Sequence, residues 1–184
     1  MITGIEQERI LMKHLCGVWK PEWAHIWMAE LRWKGNPGVF SDSYFVECRE
    51  KKLIYMKAQG MKREKRNEEL CITLMPDGIR AVHNTEKTAE HTVKPVCWTG
   101  ISAEEIRKHS RILGDHNTLH TGKNPLAGGF FLFEMIREHF PGHSCCRIRF
   151  YHAVCASENF LAFCEEDKVY VYQKQHLCLI VFWR

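Results

Sequence analysis

Hydrophobic positions along this chain follow a helical spacing and then a strand-like one, and they do so twice. Ile5, Leu11 and Leu15 are spaced for a short amphipathic helix ending near Gly17. After Pro21 the pattern changes: Trp23 to Trp33, Ser43 to Cys48, Lys52 to Gln59 and Leu70 to Leu74 are rich in aromatic and branched residues, as strands are. Turn formers punctuate them at Gly35-Asn36-Pro37-Gly38 and Pro76-Asp77-Gly78. The charge run Lys62-Arg63-Glu64-Lys65-Arg66 reads as a solvated hairpin tip, with a phosphate-facing patch as the other reading.

Asn84 to Glu90 is polar and weakly patterned, which suits a linker. The second half then repeats the grammar. Val93 to Trp98 reads as a strand, and Ser102-Ala103-Glu104-Glu105 is a capping box that opens a helix over about Ala103 to Leu113, stopped by Gly114. A second helix runs from Gly129 to Phe140 and ends at Pro141-Gly142. Its apolar arc is so wide that it must be covered on most sides, with Glu134, Arg137 and Glu138 sharing the polar stripe. Arg147 to Val154, Phe160 to Cys164, Lys168 to Gln173 and Leu177 to Trp183 supply a sheet to wrap it. Two halves, 1–90 and 91–184, each a helix followed by strands, suggest an α+β chain built as an internal duplication, on element order alone.

Composition narrows the function classes. The 184 residues are 45 % hydrophobic and 26 % charged, with both signs mixed, which describes a globular protein. A net charge of +4 suits an anionic partner, yet no dense basic stripe marks a nucleic-acid binder. The start lacks a secretory signal pattern and no apolar run is long enough to span a membrane. Nine cysteines, an odd number at irregular spacing, read as reduced thiols, so a cytoplasmic location is expected. No dinucleotide fingerprint is present, and Gly122-Lys123 is followed by Asn124 where a phosphate loop needs Ser or Thr. His139, His143, Cys145 and Cys146 cluster without the paired spacing of a zinc site, so neither metal nor cofactor is expected.

The candidate chemistry lies between the two C-terminal helices, in Gly114-Asp115-His116-Asn117-Thr118-Leu119-His120 and the following run to Gly128-Gly129. A carboxylate and an imidazole on one loop can converge on a substrate carbon. A glycine-started helix offers free backbone amides, and its dipole favours a developing anion. These are the parts of a proton-transfer site.

Gly114-Asp115-His116-Asn117-Thr118-Leu119-His120 resembles the Gly-Asp-x-Asn-Pro-x-His signature of MaoC-like dehydratases and R-specific enoyl-CoA hydratases. Ile101 to Ile106 and Arg147 to Val154 also look like that family. The resemblance implies a hot-dog fold, an antiparallel sheet wrapped around a central helix, with Asp115 and His120 as the catalytic pair and Asn117 supporting their geometry. Thr118 stands where the family carries Pro, and the stretch from His120 to Gly128 is shorter than in the hydratases. That shorter stretch is similar to FabZ-like acyl-carrier-protein dehydratases, which would pair His120 with Glu134 instead.

The resulting expectation is a hydratase or dehydratase interconverting 3-hydroxyacyl and 2-enoyl thioesters of CoA or acyl carrier protein, without nucleic-acid or membrane partners. Gly128 and Gly129 would polarise the thioester carbonyl, and Phe130 and Phe131 would line the acyl site. The N-terminal half would be a degenerate second hot dog, paired within the chain or through a homodimer. The competing readings are an acyl-thioester-binding module without turnover and a thioesterase of the same fold.

Overall fold

The computed structural model describes residues 4–36, 39–76 and 91–183. The turn formers Pro37-Gly38 and Asp77-Gly78, and the linker Asn84 to Glu90, lie outside the described residues. Helix α1 (Gly4–Cys16) is followed by strands β1 (Trp27–Gly35), β2 (Ser43–Glu50), β3 (Ile54–Lys62) and β4 (Lys65–Met75). The second half contains β5 (Val96–Trp98), α2 (Ala103–Leu113), α3 (Gly129–His139), β6 (Cys145–Phe150), β7 (Phe160–Cys164), β8 (Lys168–Gln173) and β9 (His176–Trp183).

All the strands join one antiparallel sheet in the order β2-β3-β4-β1-β6-β9-β8-β7-β5. Its centre is the β1–β6 pairing, in register from Glu30 opposite Arg149 to Lys34 opposite Cys145. Outward from that seam the order is mirrored, β4, β3, β2 on one side and β9, β8, β7 on the other, with β5 added at one edge. The sheet and the helices packed on it form the hot-dog fold.

Local chemistry explains the boundaries. Ser102 accepts from the Glu105 amide while the Glu105 side chain returns to the Ser102 amide, and Gly114 ends α2 with φ 70. The charge run closes the β3–β4 hairpin: Arg63 and Glu64 take φ 48 and 64, the left-handed pair of a two-residue turn. Several expectations shift: β3 runs Ile54–Lys62, β4 begins at Lys65 because it pairs with β3 right up to the hairpin turn, and β5 begins at Val96. Trp23 belongs to a short 3-10 turn, Pro21–Trp23, because Pro21 sets the helical φ there, and β1 begins only at Trp27. Strand β6 stops at Phe150 instead of Val154, since the Tyr151 and His152 amides both turn onto the Cys178 carbonyl.

The core lies between the sheet and the helices. Leu11, Met12 and Leu15 of α1, Phe133 and Ile136 of α3, Leu31 of β1, Ile148 of β6 and Leu179 and Val181 of β9 are fully buried. The two helices also share buried charge. Arg137 of α3 donates to Glu8 of α1 at 3.0 Å and to the His143 carbonyl at 2.6 Å, and its guanidinium lies 4.2 Å from the Trp33 ring centre. Among the described residues Glu8 Oε2 has no hydrogen-bond partner. Burial pushes the Glu8 carboxyl up to about 7 against the opposing pull of Arg137.

A carboxyl raised by folding contributes stability that is fully present below its unfolded pKa and is lost as pH rises through the folded one. Arg137→Ala, which leaves Glu8 buried and unpaired, is expected to cost about 3–5 kcal/mol in urea unfolding at pH 8. The cost should be smaller at pH 5, where Glu8 takes up a proton. Adding Glu8→Gln should remove that difference between the two pH values.

Candidate active site

The loop after α2 is built residue by residue from local hydrogen bonds. With Gly114 in the left-handed region, the Asp115 amide reaches back to the Ser110 carbonyl at 2.9 Å, which closes the helix and turns Asp115 away from it. Asp115 Oδ1 accepts from the Asn117 amide at 3.0 Å, a turn centred on the carboxylate. Asn117 Oδ1 accepts from the Leu119 amide at 3.2 Å and caps the 3-10 turn Thr118–His120. Each polar residue of the signature thus has a local structural role that fixes the next one.

His120 ends this turn with its side chain 11 % exposed, beside an Asp115 side chain 8 % exposed. His120 Nδ1 lies 2.8 Å from the Leu126 carbonyl, which can only accept, so Nδ1 carries the proton in the neutral ring. The bare Nε2 then sits 3.6 Å from Asp115 Oδ2. Gly128 borders the same nitrogen: a Cβ added there would lie 3.0 Å from Nε2. Gly128 opens α3 with no side-chain cap, leaving first-turn amides as free donors. Gly129 faces a different neighbour, since a Cβ on it would meet the Met28 sulfur at 2.4 Å and that side chain would have to shift.

The N-terminal half holds this loop in place. Asn117 Nδ2 donates to the Ile26 carbonyl at 2.8 Å, and Thr118 donates to the Ala24 carbonyl from both its amide at 3.0 Å and its hydroxyl at 2.8 Å. A proline at 118 would provide neither Thr118 bond. Burial first, and then the Asp115 charge, push the Cys16 thiol of α1 up, so it stays protonated beside the site.

Glu134 stands in a separate constellation. Arg9 of α1 grips it with two bonds, Nε to Oε1 at 2.8 Å and Nη2 to Oε2 at 2.6 Å. His109 Nε2 of α2 lies 3.2 Å from Oε1 but outside hydrogen-bond alignment. Burial opposes the charge, yet His109 and Arg9 together hold the carboxyl below its usual range. The structure therefore brings together Asp115, Asn117, His120 and Gly128, and leaves Glu134 without an ion pair to His120. Phe130 is buried in the core. Phe131 is half-buried, its ring edge-on to His109 at 4.7 Å, in a groove of about 640 Å³ shared with Arg9, Glu134 and Met135.

The contributions of Ala24, Ile26, Met28 and the Leu126 carbonyl carried no sequence signal, because three are backbone oxygens and the fourth is an ordinary apolar strand residue. Among the described residues no three His, Cys, Asp or Glu gather as a metal site. No described helix is long and apolar enough to cross a membrane.

No protein-family model matches the sequence, and no curated protein matches it. Solved structures do match its shape. HtdX from Mycobacterium tuberculosis aligns with a TM-score of 0.67 at 16 % identity over 98 % of this chain and 85 % of that one. A MaoC-like dehydratase from Phytophthora capsici aligns at 0.58 and 15 % identity, over 91 % and 71 % of the two chains. An acyl-ACP thioesterase from Bacteroides thetaiotaomicron aligns at 0.53 and 11 % identity, over 86 % and 75 %. At such identities the likeness establishes the hot-dog fold, and the reaction must be argued from the site.

The tie between loop and N-terminal half is directly testable. Asn117 has an extended backbone, φ −66 and ψ 114, which would itself tolerate a following proline. Thr118→Pro nonetheless loses both bonds to Ala24 and is expected to destabilise by about 2 kcal/mol in urea unfolding, against about 1 kcal/mol for Thr118→Val, which keeps the amide.

Proposed function

We propose that this chain is a hydratase or dehydratase that interconverts 3-hydroxyacyl and 2-enoyl thioesters, with Asp115 and His120 as its acid–base pair. The observation that carries the reading is the placement of His120 Nε2, the ring nitrogen left over by the Nδ1 contact to the Leu126 carbonyl, 3.6 Å from Asp115 and bordered by Gly128 at the start of α3.

Dehydration removes one proton from C2 and delivers one to the departing hydroxyl. A pair that starts with both groups as acceptors can take the C2 proton, pass that same proton to the departing hydroxyl as water leaves, and return to its starting state. His120 Nε2, with its lone pair free, is the base for C2, and the Asp115–His120 pair returns the proton to the hydroxyl as the carbon–oxygen bond breaks. In the hydration direction, the imidazole nitrogen and the carboxylate are both acceptors, so they can hold a water by its two hydrogens. Negative charge gathering on the thioester oxygen is met by the uncapped first-turn amides of α3 and the positive end of its dipole. Gly128 keeps Nε2 accessible, whereas Phe130 packs in the core and Phe131 lines the groove beside Glu134, so neither is assigned to the acyl portion.

In this reading the N-terminal half is a degenerate hot dog, joined at a boundary near 90, whose task is to hold the catalytic loop. The mirrored strand order and the bonds that Asn117 and Thr118 donate to the Ile26 and Ala24 carbonyls support that. The modestly basic charge of +4 suits a CoA or carrier-protein thioester.

The test is loss of the conjugated enoyl absorbance when the protein meets crotonyl-CoA or crotonyl carrier protein, with free thiol measured in parallel. His120→Ala and Asp115→Asn are expected to lower kcat about 100-fold or more. Glu134→Gln should stay within a few-fold of the parent, because Arg9 and His109 occupy that carboxylate. Thiol release with the double bond intact would establish a thioesterase instead, and tight binding without either signal a non-catalytic module.

Gly128→Ala supplies a second check. Its Cβ would crowd Nε2 while leaving the helix start intact, so activity should fall about tenfold or more with the unfolding midpoint little changed.

A further inference from the structure

We propose that Gln173, at the end of β8, is a positioning residue for His120. The inference rests on reading His120 as the catalytic base, and it concerns how that base is oriented.

Gln173 is buried, with 4 % exposure, and three of its hydrogen-bonding positions are engaged by one loop, residues 151–159. Its Oε1 accepts from the Cys155 amide at 2.8 Å, and its Nε2 donates to the Cys155 and Glu158 carbonyls, each at 3.0 Å. A carboxamide is the group suited to this work, since one side chain must accept once and donate twice without charge. The loop in turn pairs with the segment before α3. Leu126 and Cys155 form an isolated antiparallel bridge, and the Ala127 amide donates to the Val154 carbonyl at 2.9 Å. The Leu126 carbonyl so placed receives His120 Nδ1.

A chain of direct contacts therefore runs from Gln173 through Cys155 and Leu126 to the imidazole. Its effect is chemical as well as mechanical. The Leu126 oxygen decides which ring nitrogen keeps the proton, and hence whether Nε2 presents a lone pair to Asp115 and the substrate. The loop has other anchors, in which the Ser157 amide donates to Ile101 and the Gly100 amide to Asn159. Among the described residues Gln173 alone grips both backbone groups of Cys155, the residue opposite Leu126. Leu126 is also held by its own amide, which donates to the Leu119 carbonyl at 2.9 Å, so loss of Gln173 leaves both loops attached and loosens only the Cys155 side of the bridge that aims the Leu126 carbonyl.

The experiment compares the full chain with Gln173→Leu and Gln173→Glu by nitrogen NMR of labelled histidine, alongside kinetics on crotonyl-CoA. The parent is expected to show His120 as the Nδ1–H tautomer. Gln173→Leu should turn this into a mixture of tautomers, lower kcat about tenfold or more, and leave KM within about threefold. Gln173→Glu keeps the acceptor for the Cys155 amide but not the donors, and should recover part of both effects. A folded Gln173→Leu with an unchanged His120 tautomer overturns the proposal, even if its stability falls. If Gln173→Leu does not fold, an unchanged tautomer in Gln173→Glu overturns it equally. A parent without turnover on any thioester would refute the proposed reaction, while the tautomer comparison would still decide the role of Gln173.

Discussion

The structure depends on the antiparallel pairing of β1 with β6. That seam makes one sheet from two sets of strands, and it fixes everything the N-terminal half offers to the C-terminal one. With β1 held against β6, the chain just ahead of it presents the Ala24 and Ile26 carbonyls to the site loop, and Met28 closes against Gly129. The same placement lays α1 beside α3, so that Glu8 meets Arg137 and Arg9 meets Glu134. Without the seam, Asn117 and Thr118 would keep their local turn but lose the partners that orient it.

Buried polar groups show how environment separates chemically similar side chains. Glu134 carries its charge because a bidentate arginine surrounds it. Glu8, with one oxygen left unpartnered, is pushed toward neutrality in spite of Arg137. Asp115 is held by a backbone amide on one oxygen and faces an imidazole with the other. Three carboxylates near the same helices thus take three roles, two within the helix packing and one at the edge of the candidate site. The His120 ring follows the same logic, its proton placed by a carbonyl that belongs to a different loop.

The hot-dog architecture supports several thioester chemistries, and the solved structures similar to this chain include both dehydratases and thioesterases. The proposed proton transfer rests on the placement of His120 Nε2 beside the Asp115 carboxylate at a helix start. The departures from the dehydratase signature are accommodated by particular contacts. Thr118 exchanges the rigidity of proline for two bonds to Ala24, and the loop still turns through Asn117.

The sequence by itself determined the elements whose causes are local: the Ser102–Glu105 capping box, the Gly114 stop, a hairpin tip within Lys62 to Arg66, the bounds of β7 and β8, and the loop from Asp115 to His120. Each is set by residues within a few positions of one another, so propensity and capping suffice. Only the tertiary structure decided that Glu134 is engaged by Arg9, that Ala24 and Ile26 hold the loop, and that the Leu126 carbonyl sets the imidazole proton. These contacts join groups far apart in the chain or use backbone oxygens, which look the same at every residue. The pattern of side chains along a sequence cannot single out one carbonyl; the folding of β1 against β6 can.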